Sequence, residues 1–305
     1  MKTLIAEKAI LGESPLWCEA EKALYWVDIK GPHVFRFETQ AALVKKWMMP
    51  SEAGAICKAG PGTFIVCLRS GVMLFEPRSG ALHPIADPER RRPGYRLNEA
   101  KVDRCGRLWV GSVEDPGFAA QGNLYCIDGG DDILIKEGNF AMPNSLGWSL
   151  DGRTMYFADS FQKKIWAYDY EPDTANMANR RIFVEIPDGE GFPDGLAIDS
   201  EGFVWNAQID GWCLKRYDPD GRIERVVTLP VRRPTSLAFG GEDYATLFVT
   251  TATFRLTPEE LLAQPLAGCV LMLFPGVKGR SEPVLDTSGA RYRSKQSTPT
   301  IAASA

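Results

Sequence analysis

The amino-acid sequence is organised as a repeat of about 44 residues. Short runs of β-branched and aromatic residues, bounded by glycine, aspartate or proline, recur along the chain and are typical of β-strands. The central aromatic residues of six such runs are 38, 45, 47, 49 and 43 residues apart: Trp26, Phe64, Trp109, Tyr156, Trp205 and Phe248. One four-stranded propeller blade takes about 40 to 50 residues. The repeat therefore predicts an all-β, six-bladed β-propeller with four-stranded blades around a central channel.

The turn-forming residues between the runs support this interpretation. Dipeptides such as Asp220-Gly221 supply tight turns, because glycine accepts a positive φ. A β-sandwich would show similar turns without the longer period. We expect one short helix, capped by Thr257. We also expect the strand near residues 4–6 to join the last blade beside residues 268–274, which would close the ring and hide its edges.

The domain organisation follows from the same repeat. The six units fit into one domain, residues 1–288, and 45% of the 305 residues are hydrophobic, enough for a large core. Residues 289–305 are rich in Ser, Thr, Arg and Ala and lack apolar periodicity. We expect this tail to be disordered.

Charge and composition exclude several classes of partner and site. Lys and Arg number 35 against 39 Asp and Glu, a net charge of -4, so nucleic acid is not an expected partner. Glu7 and Lys8 interrupt the first apolar stretch, and no window has membrane-spanning length, so we expect a cytoplasmic protein with no membrane partner. Seven cysteines without C-x-x-C spacing are expected to be reduced. With only His33 and His83 present, acid–base chemistry falls to carboxylates.

Polar residues occupy an equivalent position in several repeats. Four oxygen-bearing side chains lie 11 to 13 residues before the aromatic marker of their unit: Glu13, Asn98, Asn144 and Asp194. In the second and sixth units the equivalent positions fall near Glu52 and near Thr235 or Ser236. Equivalent positions of the innermost strands converge on the axis of a propeller. The register therefore predicts a ring of oxygen donors at one opening of the channel.

This set of donors favours a hard divalent cation. Carboxylate and amide oxygens suit Ca²⁺, Mg²⁺ or Mn²⁺, and Zn²⁺ or Fe²⁺ remain compatible. Because only a few protein ligands are predicted, coordination positions remain for water or substrate. Open positions of this kind distinguish a catalytic metal from a structural one. The donors are therefore compatible with metal-assisted hydrolysis.

Longer sequence blocks carry a resemblance to a known family. They occur in order at residues 11–17, 25–29, 96–111, 143–152, 193–202 and 239–241. With these blocks the chain resembles the gluconolactonase/regucalcin (senescence marker protein) family. The resemblance implies a six-bladed propeller that hydrolyses aldonolactones, with a small-molecule sugar lactone as its partner and one divalent cation as its cofactor. It assigns the cation to Glu13, Asn144 and Asp194.

The resemblance also suggests substrate contacts and a mechanism. Arg96 and Asn98 stand where the family contacts substrate oxygens. The cation would polarise the lactone carbonyl, and Asp194 would serve both as a ligand and as the general base that activates water. Glu114, just beyond a predicted inner strand, is a further candidate for substrate binding.

Departures from the family pattern leave the substrate open. Glu99-Ala100 replaces the usual Asp-Gly, and Thr253 stands where an arginine is common. A lactone with an anionic substituent is one alternative, given the extra arginines. Two further alternatives are a non-enzymatic calcium-binding propeller and a metal-dependent esterase or phosphotriesterase, which would favour an apolar channel mouth. The sequence does not assign an oligomeric state.

Overall fold

The structure of the protein is a computed structural model that describes residues 2–5, 7–129, 132–285 and 303–304. Within them the chain is almost entirely β-structure. The strands are β1 (Lys2–Ile5), β2 (Gly12–Cys18), β3 (Ala23–Asp28), β4 (His33–Glu38), β5 (Leu43–Met48), β6 (Ala53–Lys58), β7 (Phe64–Leu68), β8 (Gly71–Glu76), β9 (Ala81–Ala86), β10 (Tyr95–Val102), β11 (Leu108–Glu114), β12 (Gly122–Ile127), β13 (Ile133–Phe140), β14 (Pro143–Trp148), β15 (Thr154–Asp159), β16 (Lys164–Glu171), β17 (Asn176–Glu185), β18 (Phe192–Ile198), β19 (Val204–Ile209), β20 (Cys213–Tyr217), β21 (Ile223–Thr228), β22 (Pro234–Gly240), β23 (Thr246–Thr251), β24 (Val270–Leu273) and β25 (Ala303–Ser304).

These strands form six antiparallel sheets, each a propeller blade. Five blades follow chain order, beginning at β2, β6, β10, β14 and β18. In the sixth blade the order is β22-β23-β24-β1, so the N-terminal strand completes the last sheet. The predicted six-bladed propeller and its closure by the first strand are both confirmed. A closed ring leaves no blade without a neighbour on either side.

The hydrophobic core lies between the blades and not on the axis. Six clusters of buried apolar side chains each combine residues from two adjacent blades. The aromatic markers all lie on the second strand of their blade and are buried: Trp26, Phe64, Trp109, Tyr156, Trp205 and Phe248. Burial of such apolar faces is the main source of stability. The axis is therefore left free for polar side chains.

Every innermost strand carries an irregularity at the same place. The pairing of the first and second strands shifts between Glu13 and Leu16, and corresponding shifts occur in all six blades. Ser14 and Ser145 at this place adopt positive φ values of 49° and 54°. A β-bulge bends a strand and re-aims its side chains. The polar residues that share a register in the sequence lie at or beside these bulges.

One end of the channel is covered by the chain that follows β24. The Gly279 amide donates to the Tyr244 carbonyl of the sixth blade at 2.9 Å, and the Leu285 amide donates to the Lys58 carbonyl of the second blade at 2.9 Å. Glu282 pairs with Lys101 of the third blade at 2.9 Å. Lys58 and Lys101 lie at the ends of β6 and β10, and Tyr244 lies in the turn after β22, at the opposite end of the channel from Glu13 and Asp194. The channel is consequently accessible from the other end.

The predicted helix is confirmed as α1 (Pro258–Ala263), where Thr257 and Glu260 form a reciprocal capping box.

No helix in the described part of the chain is long and apolar enough to cross a membrane. The predicted disorder of residues 289–305 falls outside the described residues, apart from β25, which pairs with β5.

Candidate active site

The open end of the channel holds a cavity of ≈ 200 Å³. Of the six residues assigned to the cation or the substrate from the sequence, five line it: Glu13, Arg96, Asn98, Asn144 and Asp194. They come from the inner strands β2, β10, β14 and β18, and each lies at or near the bulge of its strand. The shared sequence register thus corresponds to one site in space.

Side-chain hydrogen bonds join three of these inner strands around the cavity. Asn98 Nδ2 donates to Asn144 Oδ1 at 2.9 Å, which joins the third blade to the fourth. Asn144 Nδ2 donates to Ser160 Oγ at 2.8 Å, and that hydroxyl donates to the Pro193 carbonyl of the fifth blade at 2.6 Å. Both groups of the Asn144 amide are therefore fixed, so its oxygen has a defined orientation.

Glu13 and Asp194 are an unusual feature of this cavity because both carboxylates are almost fully buried, at 9% and 4% exposure. Burial is the main cause that raises the pKa of Glu13 well above its ordinary value, and the charge of Asp194 adds to it. Burial likewise raises the pKa of Asp194 well above its ordinary value. The negative charge of Glu99 raises this pKa further, whereas the positive charge of Arg233 lowers it. Two buried carboxylates are costly to keep ionised together unless positive charge compensates them.

The donor set fits an oxygen-preferring divalent cation. Asn144 Oδ1 uses one lone pair for Asn98 and retains a second for a ligand. With the carboxylates of Glu13 and Asp194, it supplies hard oxygen donors of the type that Ca²⁺ and related ions prefer. Among the described residues there is no group of three or more His, Cys, Asp or Glu side chains arranged for a metal. An ion here would therefore depend on the amide oxygen as its third donor.

Arg96 is buried at 3% exposure and is held on two sides. Its Nε donates to Asp115 Oδ2 at 2.6 Å, and its Nη1 donates to Asn98 Oδ1 at 2.6 Å. Lys30 Nζ also donates to Asp115 Oδ2, at 2.9 Å. Burial opposes ionisation of Asp115, but the hydrogen bonds from Arg96 and Lys30 outweigh it and lower the pKa of the carboxyl. Asp115 therefore remains a carboxylate that orients the guanidinium.

The structure does not bring Glu114 into the cavity. Its carboxylate accepts a hydrogen bond from the Ala119 amide at 3.0 Å and so belongs to the turn after β11. The next residue, Asp115, points toward Arg96 instead, because successive side chains along an extended segment point in opposite directions. Glu52, expected in the polar ring, pairs with Lys30 at 2.8 Å and does not line the cavity.

Four phenylalanines at the mouth were not found from the sequence: Phe118, Phe161, Phe192 and Phe254. They come from the third to the sixth blades. The rings of Phe118 and Phe161 lie 5.8 Å apart, and those of Phe161 and Phe192 lie 6.3 Å apart. Three of the four lie between strands, where loop lengths differ from blade to blade, so no common register marks them.

Charged residues of the last two blades were also missed. Arg233, at 9% exposure, has its Nε 3.3 Å from Asp210 Oδ1, and both side chains line the cavity. Arg255 follows Phe254 at the rim and is exposed. One sequence signal could have identified Arg233 as a site residue: it directly precedes Pro234, the first residue of the inner strand β22.

Comparisons with known proteins find relatives over most of the chain. Residues 11–253 match the family described as SMP-30/Gluconolactonase/LRE-like region. The chain is 33% identical over 285 residues to 6-deoxy-6-sulfogluconolactonase of Pseudomonas putida, covering 93% of this chain and 98% of that protein. It is 35% identical to L-arabinolactonase of Azospirillum brasilense, covering 88% and 90%.

A solved structure is similar over nearly the whole chain. The calcium-binding protein regucalcin from Agrobacterium tumefaciens superposes with a TM-score of 0.90 at 26% identity, covering 93% of this chain and 96% of that one. The fold and the arrangement of its blades are therefore shared with that protein.

Proposed function

The chain belongs to the SMP-30/gluconolactonase/LRE-like family and is a lactonase, and we propose that it opens a sugar lactone to the aldonic acid with one divalent cation. The relatives named for sugar lactones support the substrate class. The neighbour named as a calcium-binding protein supports a divalent cation. Ca²⁺, Mg²⁺, Mn²⁺, Zn²⁺ and Fe²⁺ all remain candidates for its identity.

The observation that carries the proposal is the pair of buried carboxylates beside an oriented amide oxygen. Glu13, Asn144 and Asp194 would hold the cation. When bound, the cation would compensate the two negative charges and draw electron density from the lactone carbonyl as the oxyanion develops. We expect its remaining coordination positions to face the cavity.

The other roles fall to the side chains around this centre. Asp194 would accept a proton from the attacking water as the general base. Arg96 has its Nε and Nη1 occupied by Asp115 and Asn98, so its Nη2 edge is the one that would donate to a substrate oxygen. Hydrogen bonds from Arg96 would hold the substrate in a fixed orientation, and correct orientation of the reacting groups increases the rate of hydrolysis.

A panel of substrates tests the proposal. Demetallated protein would be assayed on sugar lactones, aryl esters and phosphotriesters, each with and without added Ca²⁺, Mg²⁺, Mn²⁺, Zn²⁺ or Fe²⁺. We expect hydrolysis of at least one sugar lactone that requires a cation. Absence of lactone hydrolysis with every ion would contradict the proposal.

The apolar mouth favours a second candidate activity, metal-dependent hydrolysis of aryl esters. Four phenylalanines surround the entrance, and aromatic surfaces favour apolar groups. The aryl-ester arm of the same panel tests it. A non-enzymatic cation-binding propeller would not need Arg96 and Asn98 beside the two carboxylates, and the lactonase relatives weigh against it.

We propose a cytosolic location. All seven cysteines are free and six of them are buried, which suits a reducing compartment. The substrate of the proposed reaction is a small molecule that reaches the channel by diffusion.

A further inference from the structure

The cavity is lined by four cationic side chains: Lys30, Arg96, Arg233 and Arg255. Three of them have carboxylate partners within the protein. Lys30 and Arg96 pair with Asp115, and Arg233 pairs with Asp210. In the described part of the chain, no carboxylate pairs with Arg255. It is therefore the cation at the entrance whose charge remains available to a ligand.

Cation–π contacts and a backbone hydrogen bond of the neighbouring residue hold Arg255 at the mouth. Its guanidinium carbon lies 5.6 Å from the ring centre of Phe118 and 5.2 Å from that of Phe254. The Phe254 amide donates to the Ile10 carbonyl at 2.8 Å, which anchors the loop. Arg255 has a φ of 62°, a conformation that few residues other than glycine adopt. A cation–π contact takes up no N–H group as a hydrogen-bond donor, so the N–H groups of Arg255 can still bind an anion.

The depth of the cavity determines which part of a substrate would meet Arg255. Glu13 and Asp194 are buried at the floor, whereas Arg255 is exposed at the rim. A lactone with its reacting carbonyl at the floor would extend its opposite end toward the rim. Arginine forms strong, paired hydrogen bonds to planar or tetrahedral anions.

We infer that Arg255 forms a subsite for an anionic group, a sulfonate, carboxylate or phosphate, at the end of the lactone remote from the reacting carbonyl. The inference rests on the proposed function and specifies its substrate class. Arg255 is then a determinant of specificity, and the protein prefers charged lactones to neutral ones of the same size.

The test compares matched six-carbon aldonolactones that differ only at carbon 6, which carries hydroxyl, sulfonate, carboxylate or phosphate. The quantity measured is the ratio of kcat/KM for the charged lactone to that for the neutral one. Arg255→Asn removes the charge, and asparagine tolerates the positive φ. We expect it to lower the ratio about tenfold or more, the range for hydrogen bonds to charged groups. Arg255→Lys, which keeps the charge, should retain part of the preference.

Arg222→Gln is the matched control, because Arg222 is exposed and pairs with Asp220 away from the cavity. It should leave the ratio unchanged. Titration calorimetry with the ring-opened product of the preferred charged lactone should show weaker binding to Arg255→Asn than to the wild type. The preference should also decrease with added salt.

The outcomes separate the two levels of the hypothesis. A ratio near one in the wild type, or an unchanged ratio in Arg255→Asn, would overturn the anionic subsite while lactone hydrolysis itself stands. If the wild type hydrolyses none of the lactones with any cation, the proposed function fails and the subsite fails with it. A preference for one anion over the others identifies which group the subsite accepts.

Discussion

Asp194 and Asn144 present oxygen donors of different charge to the same cavity. Both can coordinate a cation, but only the carboxylate can accept a proton from water. Asn144 is also held by Asn98 and Ser160, so its oxygen is oriented before any ligand binds. Substitutions at these two residues therefore separate cation binding from activation of water.

Asp194→Asn should remain strongly impaired even when the cation is saturating. The substitution keeps one coordinating oxygen and removes the base, and loss of a general base costs about 10²–10⁴ in rate. We expect turnover of the sugar lactone to stay at least about a hundredfold below wild type in a cation titration. Asn144→Ala is the matched comparison, and excess cation should rescue it in part. If the cation restores Asp194→Asn to near wild-type turnover, Asp194 is a ligand alone and Glu13 becomes the next candidate base.

Arg96→Lys should impair substrate binding more than cation binding. Lysine keeps the charge but loses the planar set of donors that contacts Asp115 and Asn98 together. We expect a higher KM or a lower kcat/KM for hydroxyl-rich lactones. Arg96 reaches Asn144 only through Asn98, so the cation affinity should change less. Kinetics and a cation titration on the same preparation measure both effects, and an equal loss of cation affinity would assign Arg96 to the support of the ion.

Sequence reasoning located site residues where they share a structural position. Glu13, Asn98, Asn144 and Asp194 have nearly equal phase in the repeat because the bulge recurs in each inner strand. Glu114 illustrates the limit, because a strand end does not specify which of two neighbouring carboxylates turns inward. Arg255 and three of the four phenylalanines were missed because they lie in loops, whose conformation is set by tertiary contacts and not by the repeat.

At the scale of elements, the inner strands approach one another so closely that some positions accept only glycine. A Cβ added at Gly54 of β6 would lie 2.2 Å from the Leu97 carbonyl oxygen of β10. The three atoms nearest to that Cβ all belong to the backbone of Leu97 and Asn98, which leaves little room for adjustment. The spacing of the inner strands thus sets the size of the ring in which the oxygen donors converge.

Gly54→Ala should therefore destabilise the protein. Overpacking of this kind costs about 1–3 kcal/mol in the free energy of unfolding. Gly94→Ala is the control, because a Cβ there meets nothing within 4 Å. Denaturant unfolding of both variants measures the difference. Equal stabilities would mean that the second and third blades separate at little cost.

The segment after β24 is an element whose two parts should behave differently on truncation. Residues up to Leu285 pack under the channel, where Leu285 is 2% exposed and Glu282 pairs with Lys101. A chain ending at Ser288 should keep its melting temperature and activity. A chain ending at Phe274 should lose several kcal/mol, mainly from the lost burial of Leu285, because the half-buried Glu282–Lys101 pair contributes less. A clear loss of stability on ending at Ser288 would show that the pairing of the two-residue strand β25 with β5 stabilises the first blade.

At the scale of the whole molecule, stability and activity have separate physical origins. The six apolar clusters lie between blades, whereas the oxygen donors lie on the axis. This division explains why the fold was predictable from the sequence: the buried aromatic markers repeat at the blade period, and closure by β1 follows from the need to cover an edge. The substrate was not predictable, because Arg255 and most of the phenylalanines at the mouth come from loops of unequal length.

The most direct test of the central claim is to remove divalent cations, verify their removal by elemental analysis, and measure lactone hydrolysis and thermal unfolding on the same sample. We predict that hydrolysis is abolished and returns with added cation, while the demetallated protein keeps its β-structure and unfolds cooperatively. Added cation should raise the free energy of unfolding only by the amount expected when a ligand binds the folded state, which depends on its concentration and its Kd. Full hydrolytic activity in the verified cation-free protein would contradict the assignment of Glu13, Asn144 and Asp194 to a catalytic metal.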